Sequence, residues 1–288
     1  MTLKLDRMAL DDVGANPIRV AKAIHGQLGQ DDGPVPVFEI AKALDIVEIR
    51  EEPLTNLEGA LITTPERGTG SMLLNRNSSL KRRRFTAGHE LFHFLSPLHR
   101  PSSPSGFWCT RQDMKRSYTR ANDQHRRQEA EANEFSIELL APRPRIRRFL
   151  QGPADLTAVI KMADELVISR EASARRYVSC HDETTVVVFS KSGRVNYMDY
   201  GGMDQPLCLR RNDEVPYLPP PAMGGPVSKV EEASADDWLA SPRSFEVTVQ
   251  TLHQRDGHSI TLVRVISEEG PAGDDSNDNY GMFARFGV

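Results

Sequence analysis

His89-Glu90-Leu91-Phe92-His93 restricts this chain most, because it sets two imidazoles and a carboxylate inside a stretch that reads as a helix, Phe85 to Leu95. Positions four apart stack on one helix face, so His89 and His93 can aim at one point while Glu90 sits at the edge of that face. In the H-E-x-x-H pattern the two histidines bind zinc and the glutamate acts as general base. A catalytic zinc takes three protein ligands and keeps a fourth position open for a water whose pKa it lowers to about 7. Glu90 is therefore the candidate catalytic base, and a third ligand has to be found elsewhere.

Two residues compete for that place. His99 follows His93 by six positions, the metzincin spacing, but Ser96 stands where that signature has the glycine that turns the chain. The rival is Glu129, in a segment from Gln128 to Ala141 that is rich in helix formers and ends at Pro142. Ala132, Phe135, Leu139 and Leu140 keep helical periodicity, and Glu129 and Asn133 stack one turn apart. Glu129 can then reach a metal while Asn133 buttresses a ligand from behind. Glu131 is a minor alternative, and the residues alone leave the choice open.

A wider set of motifs narrows it. Arg83-Arg84-Phe85-Thr86-Ala87-Gly88 leads into the pentapeptide, Leu74-Asn75 precedes it, and Glu129-x-x-Ala132-Asn133-x-Phe135-x-x-x-Leu139-Leu140-x-Pro142 follows. With Val35 to Ala41 upstream and Val167 to Tyr177 downstream, residues 15 to 180 resemble the ImmA/IrrE metallopeptidase family. The resemblance implies one zinc ion per chain, held by His89, His93 and Glu129, with Glu90 as base; it places His99 outside the ligand set. It also implies a protein substrate, typically a helix-turn-helix transcriptional repressor whose cleavage derepresses a stress or mobile-element program. Phe92 stands where the family commonly has glycine and Ala141 where it usually has methionine, and neither position supplies a ligand.

The linker between His93 and Glu129 is long and carries Pro97, Pro101, Pro104 and Gly106, so Phe107 to Met114 reads as a loop over or beside the cleft. His125 and Tyr118 are candidates to contact an oxyanion or substrate, although each serves as readily on a helix surface or as a cap. Cys109 has two readings: a buried apolar cysteine, which is the more economical, or a fourth ligand that plugs the metal.

The 288 residues suffice for two domains, and no apolar run is long enough for a transmembrane span. The first residues lack the apolar core of a secretory signal. Three cysteines without a C-x-x-C suit a reducing cytoplasm, where the protein is expected. A net charge of -4 argues against a general polyanion binder. Lys81 to Arg84 reads as a solvated basic face at the start of the active helix.

The pattern predicts an α+β chain: a zincin-like metallopeptidase domain with a helical extension over 1–180, then a β-rich α+β domain of regulatory or sensor-like kind over 181–288 with a loosely ordered tail. A helix is expected over 17–28, strands over 46–49 and 59–63, and a strand over 71–75 serving as the sheet edge beside the cleft. Helices over 156–166 and 170–178 are expected to pack on the first domain instead of binding DNA directly. Hairpins are expected around 191–193 and 254–258, with a short helix at Trp238 between them. The resulting reading is an intracellular zinc endopeptidase. Its alternative is a non-proteolytic zinc-binding partner of a repressor or toxin-antitoxin system.

Overall fold

The computed structural model describes residues 3–29, 32–101, 103, 106–111, 113, 124–202, 207–242 and 244–267. The tail from Gly270 lies outside them. The described chain divides into two compact units, one formed by 1–153 and 157–180, the other by 154–156 and 181–288.

In the first unit, α1 (Arg7–Asp11), α2 (Pro17–Leu28) and α3 (Val37–Ala43) precede three strands, β1 (Ile46–Glu52), β2 (Gly59–Thr63) and β3 (Gly70–Asn75). Asn16 caps α2 by accepting the Arg19 N–H, with Pro17 at the first helical position, where a missing N–H costs nothing. The active helix α4 (Leu80–Leu95) starts at the Ser79 cap and stops at Ser96-Pro97. Then come β4 (Gly106–Cys109), α5 (Gln124–Leu140), α6 (Arg143–Ile146), α7 (Leu156–Glu165) and α8 (Arg170–Cys180).

The strands form one sheet in the order β1-β3-β2-β4, with β1 parallel to β3 and the other pairs antiparallel. This corrects two expectations. The strand at 70–75 is interior and not the edge, because β1 and β2 take both of its sides. The edge is β4, which comes from the stretch read as a loop. Four residues are too few to show a period-two pattern, and the pairing that makes them a strand is with a segment far away in sequence. Gly106, at φ 139°, allows that pairing, since a Cβ there would lie 2.0 Å from the Leu61 carbonyl oxygen.

α4 lies across this sheet and against α5. A Cβ on Gly59 would meet Thr86 Cγ2 at 2.4 Å, so strand and helix touch closely there. On the other side Ser136 donates to the Phe85 carbonyl at 2.8 Å, and Phe92 stacks on Phe135 with centroids 4.8 Å apart. The basic run is not a solvated face. Arg84 is buried and donates to the carbonyls of Val35 and Val167, Lys81 pairs with Asp164, and Arg83 pairs with Glu51. Glu138 forms a bidentate pair with Arg176 that ties α8 to α5. Within the helical extension Ser173 donates to the Val159 carbonyl at 2.7 Å, a buried bond joining α7 and α8.

The second unit contains β5 (Thr185–Lys191), β6 (Arg194–Gly201), β7 (Glu231–Ala233), α9 (Ala235–Trp238), β8 (Phe245–His253) and β9 (His258–Ser267). The strands make an antiparallel sheet in the order β6-β5-β9-β8-β7. Ser192 and Gly193 both have positive φ and join β5 to β6 as a two-residue type I′ turn, whose twist matches the strands it connects. Val186, Val188, Val249, Val263 and Trp238 anchor the core on one face. Residues 154–156 belong here because the Ala154 N–H donates to Glu183 and the Leu156 N–H to Gln250.

Candidate metal centre

α4 points His89 and His93 to the same side, as the spacing requires, and α5 brings Glu129 to meet them. His89 Nε2 lies 3.0 Å from Glu129 Oε2 and 3.1 Å from His93 Nε2, and His93 Nε2 lies 3.4 Å from Glu129 Oε1. Tetrahedral zinc with bonds of about 2.0–2.1 Å separates its ligand atoms by roughly 3.3 Å. The two nitrogens and the carboxylate, which turns a different oxygen to each ring, are thus spaced close to the corners of such a site. With the Cys109 sulfur they form a buried group whose ligand atoms all lie within 4.8 Å of one another. These residues could hold a metal ion.

The hydrogen bonds behind the histidines determine which nitrogen is free. Asn133 Nδ2 donates to the Asp113 carbonyl at 3.0 Å, which turns its Oδ1 toward His89 to accept from Nδ1 at 3.0 Å. His93 Nδ1 lies 2.8 Å from His99 Nδ1, and His99 Nε2 lies 3.0 Å from Glu131 Oε2. A carboxylate only accepts, so His99 carries its proton on Nε2, its Nδ1 accepts from His93, and His93 presents a bare Nε2 to the centre. His99, one of the two competitors for third ligand, is therefore the residue behind a ligand. Glu131 is the acceptor behind His99.

Charge follows the same pattern. Burial pushes His93 and His99 down to about 3, so both rings are neutral. Burial disfavours a charged His89 too, but the bond and charge of Glu129 outweigh it and raise its pKa. Burial likewise favours a neutral Glu129, yet its hydrogen bonds with His89 and His93 hold it well below the usual carboxylate range. Both rings turn Nε2 toward the Glu129 carboxylate, and a divalent metal would use the lone pairs that converge there, displacing any proton they hold.

Glu90 lies beside this group and is not part of it. Its side chain is fully buried, and the Cys109 thiol is the one hydrogen-bond partner beside its oxygens among the described residues. Burial pushes its pKa up to about 7. Gly59 makes room for it, since a Cβ there would come within 3.0 Å of Glu90 Oε1.

Sequence reasoning missed several supports. Arg67 donates to the carbonyls of Ser96 and His99, and Gln128 accepts the Arg100 N–H and donates to its carbonyl, so the chain around His99 is clamped. Phe107 on β4 stacks on His93 with centroids 4.5 Å apart. No local pattern announces Arg67 or Phe107, because both reach the site through sheet pairing. His125 is half exposed, with Nδ1 3.5 Å from Glu129 Oε1 and Nε2 3.7 Å from Asp113 Oδ1. Tyr118 lies outside the described residues. His25 reaches the Leu139 carbonyl and His253 the Pro219 carbonyl, both structural contacts.

Residues 42–177 match the family model Peptidase_M78, described as the IrrE N-terminal-like domain. The matched segment holds every donor of the centre. Among solved structures, a "Mycobacterium tuberculosis transcriptional regulator" is 11% identical, covering 91% of this chain and 87% of that one. Its TM-score is 0.45, a likeness too slight to carry an argument. A comparison with curated proteins finds no match. No helix among the described residues is long and apolar enough to cross a membrane.

Proposed function

We propose that this protein is a zinc-dependent endopeptidase, with His89, His93 and Glu129 as ligands and Glu90 as general base. The observation that carries the reading is the joint placement of two imidazole nitrogens and the Glu129 carboxylate at metal-site spacing, with the fully buried Glu90 carboxylate beside them. A bound zinc ion supplies Lewis acidity, polarising a peptide carbonyl and making a water acidic enough to attack near neutral pH.

The chain's own groups do the rest. Burial keeps the Glu90 pKa near that of a base working at neutral pH, so it can take a proton from the attacking water and return it to the leaving amine. Asn133 and His99 hold the two imidazoles in the tautomers that leave Nε2 free. His125, half exposed and beside Glu129, is placed to donate to a developing oxyanion. β4 is the sheet edge beside the centre, where an extended peptide can add as a further strand.

The substrate class rests on the family resemblance, which favours a helix-turn-helix repressor. Every donor of the centre among the described residues lies in the first unit, and the second unit is assigned a role in substrate choice or signal response. The cytoplasm is the compartment that three unpaired cysteines suit.

Glu90→Gln tests the chemistry, because it keeps size and hydrogen bonding while removing the base. Zinc content should persist and cleavage of a co-encoded repressor should fall at least about a hundredfold. If the variant still shortens the repressor at the wild-type rate, Glu90 is not the base. If it relieves repression without any cleavage, the protein is a non-proteolytic partner.

A further inference from the structure

The reading of the metal centre accounts for three of its four donors and leaves Cys109 unused. Its position follows from the sheet. β4 pairs with β2 so that Cys109 faces Gly59, and the Glu58 N–H donates to the Cys109 carbonyl at 3.0 Å. Alternation along the strand turns Trp108 outward and Phe107 and Cys109 inward, Phe107 onto His93 and Cys109 onto the ligand group. The thiol is 1% exposed and forms no disulfide.

Two observations point to a ligand and not to a packing cysteine. Cys109 Sγ lies within 4.8 Å of the ligand atoms of His89, His93 and Glu129. A tetrahedral site with a sulfur bond of about 2.3 Å needs separations of roughly 3.5 Å, so a shift on the order of 1 Å closes the set. Beside it, the fully buried Glu90 carboxylate has no hydrogen-bond partner other than the Cys109 thiol itself. A general base needs a water against it and a path for the peptide, yet the three proposed ligands and Cys109 are all buried.

We propose that Cys109 is a fourth ligand that closes the zinc site, so that the resting protein is a latent peptidase. This rests on the zinc-peptidase reading above and adds its regulation. On closing, the thiol loses its proton to solvent and the sulfur takes the position a water would hold. On opening, the sulfur regains a proton and leaves, and that position becomes accessible together with Glu90. The lock is carried by a strand that, among the described residues, pairs in the sheet with β2 alone, so a partner or peptide that adds to its other side can move the sulfur directly.

The test is the absorption spectrum of the full chain loaded with cobalt(II), which reports thiolate ligation directly. The wild type should show a near-ultraviolet thiolate-to-cobalt charge-transfer band that is lost in Cys109→Ala and in the near-isosteric Cys109→Ser. Zinc affinity of both variants should fall by on the order of tenfold or more, and their hydrolysis of an unstructured peptide should rise above the wild type. Cobalt held by the wild type without that band would overturn the proposal while leaving the three-ligand site standing. Cobalt uptake unaffected by His89→Ala and Glu129→Gln would instead overturn the metal site itself.

Discussion

Replacing His99 by alanine separates a residue that binds the metal from one that orients a ligand. In the wild type the His99 ring accepts from His93 Nδ1 at 2.8 Å and donates to Glu131 at 3.0 Å. Its removal leaves the His93 Nδ1–H buried without an acceptor, which costs about 1–3 kcal/mol. Glu131 is partly exposed and can turn to water, so its loss adds little. His93 is then free to place its proton on Nε2, the atom the metal needs. Loss of such an outer partner typically weakens metal binding by about 10- to 100-fold, or roughly 1.4–2.7 kcal/mol, which agrees with the cost of the orphaned donor. Removing a direct ligand by Glu129→Gln should weaken binding far more. Glu131→Gln, one bond further out, should cost about tenfold or less, and combining it with His99→Ala should add almost nothing, since both act through one chain of bonds. Zinc affinities measured against a chromophoric chelator, with circular dichroism to confirm folding, give the ranking. Wild-type affinity in His99→Ala would refute the orienting role. A loss as large as that of Glu129→Gln would show that His99 binds the metal itself.

Three further outcomes are expected. Gly59→Ala should destabilise the first unit by about 1–3 kcal/mol in urea unfolding, because its Cβ would lie 2.4 Å from Thr86 Cγ2; an unchanged midpoint would mean that β2 and α4 can part freely. Glu183 receives bonds from Arg264 and the Ala154 N–H that, against the effect of burial, hold its pKa below its ordinary 4.5. Its stabilisation is therefore present above 4.5 and lost as pH falls through the lowered value, so Glu183→Gln should cost about 1 kcal/mol at neutral pH and progressively less in acid; a gap that widens on acidification would contradict the assignment. A chain ending at Cys180 should retain one zinc by metal analysis, since every donor lies before Pro142; a zinc-free, unfolded fragment would show that the two units depend on each other.

Much of the centre was legible because its determinants are local. The i, i+4 spacing on α4 places His89 and His93 on one face whatever surrounds the helix, and the same spacing on α5 links Glu129 to Asn133. Helix caps and the Ser192-Gly193 turn are likewise written in neighbouring residues. The choice between Glu129 and His99 was of another kind. Both are credible ligands by residue type, and only the packing of α4 on α5 decides which side chain faces His89 and His93 at the centre and which stands behind His93.

The same limit explains the two misread strands and the basic run. β4 is four residues long and becomes a strand only by pairing with β2, which brings Phe107 and Cys109 onto the centre, while β3 is interior because β1 and β2 flank it. Arg84 looks like one charge among four until the carbonyls of Val35 and Val167, distant in sequence, bury it. Residue identity and short-range periodicity determine which chemistry a helix or turn can present. Which groups meet, which are shielded from water and which nitrogen of a histidine is bare depend on contacts between distant segments, and those exist only once the sheet and the helices have closed on one another.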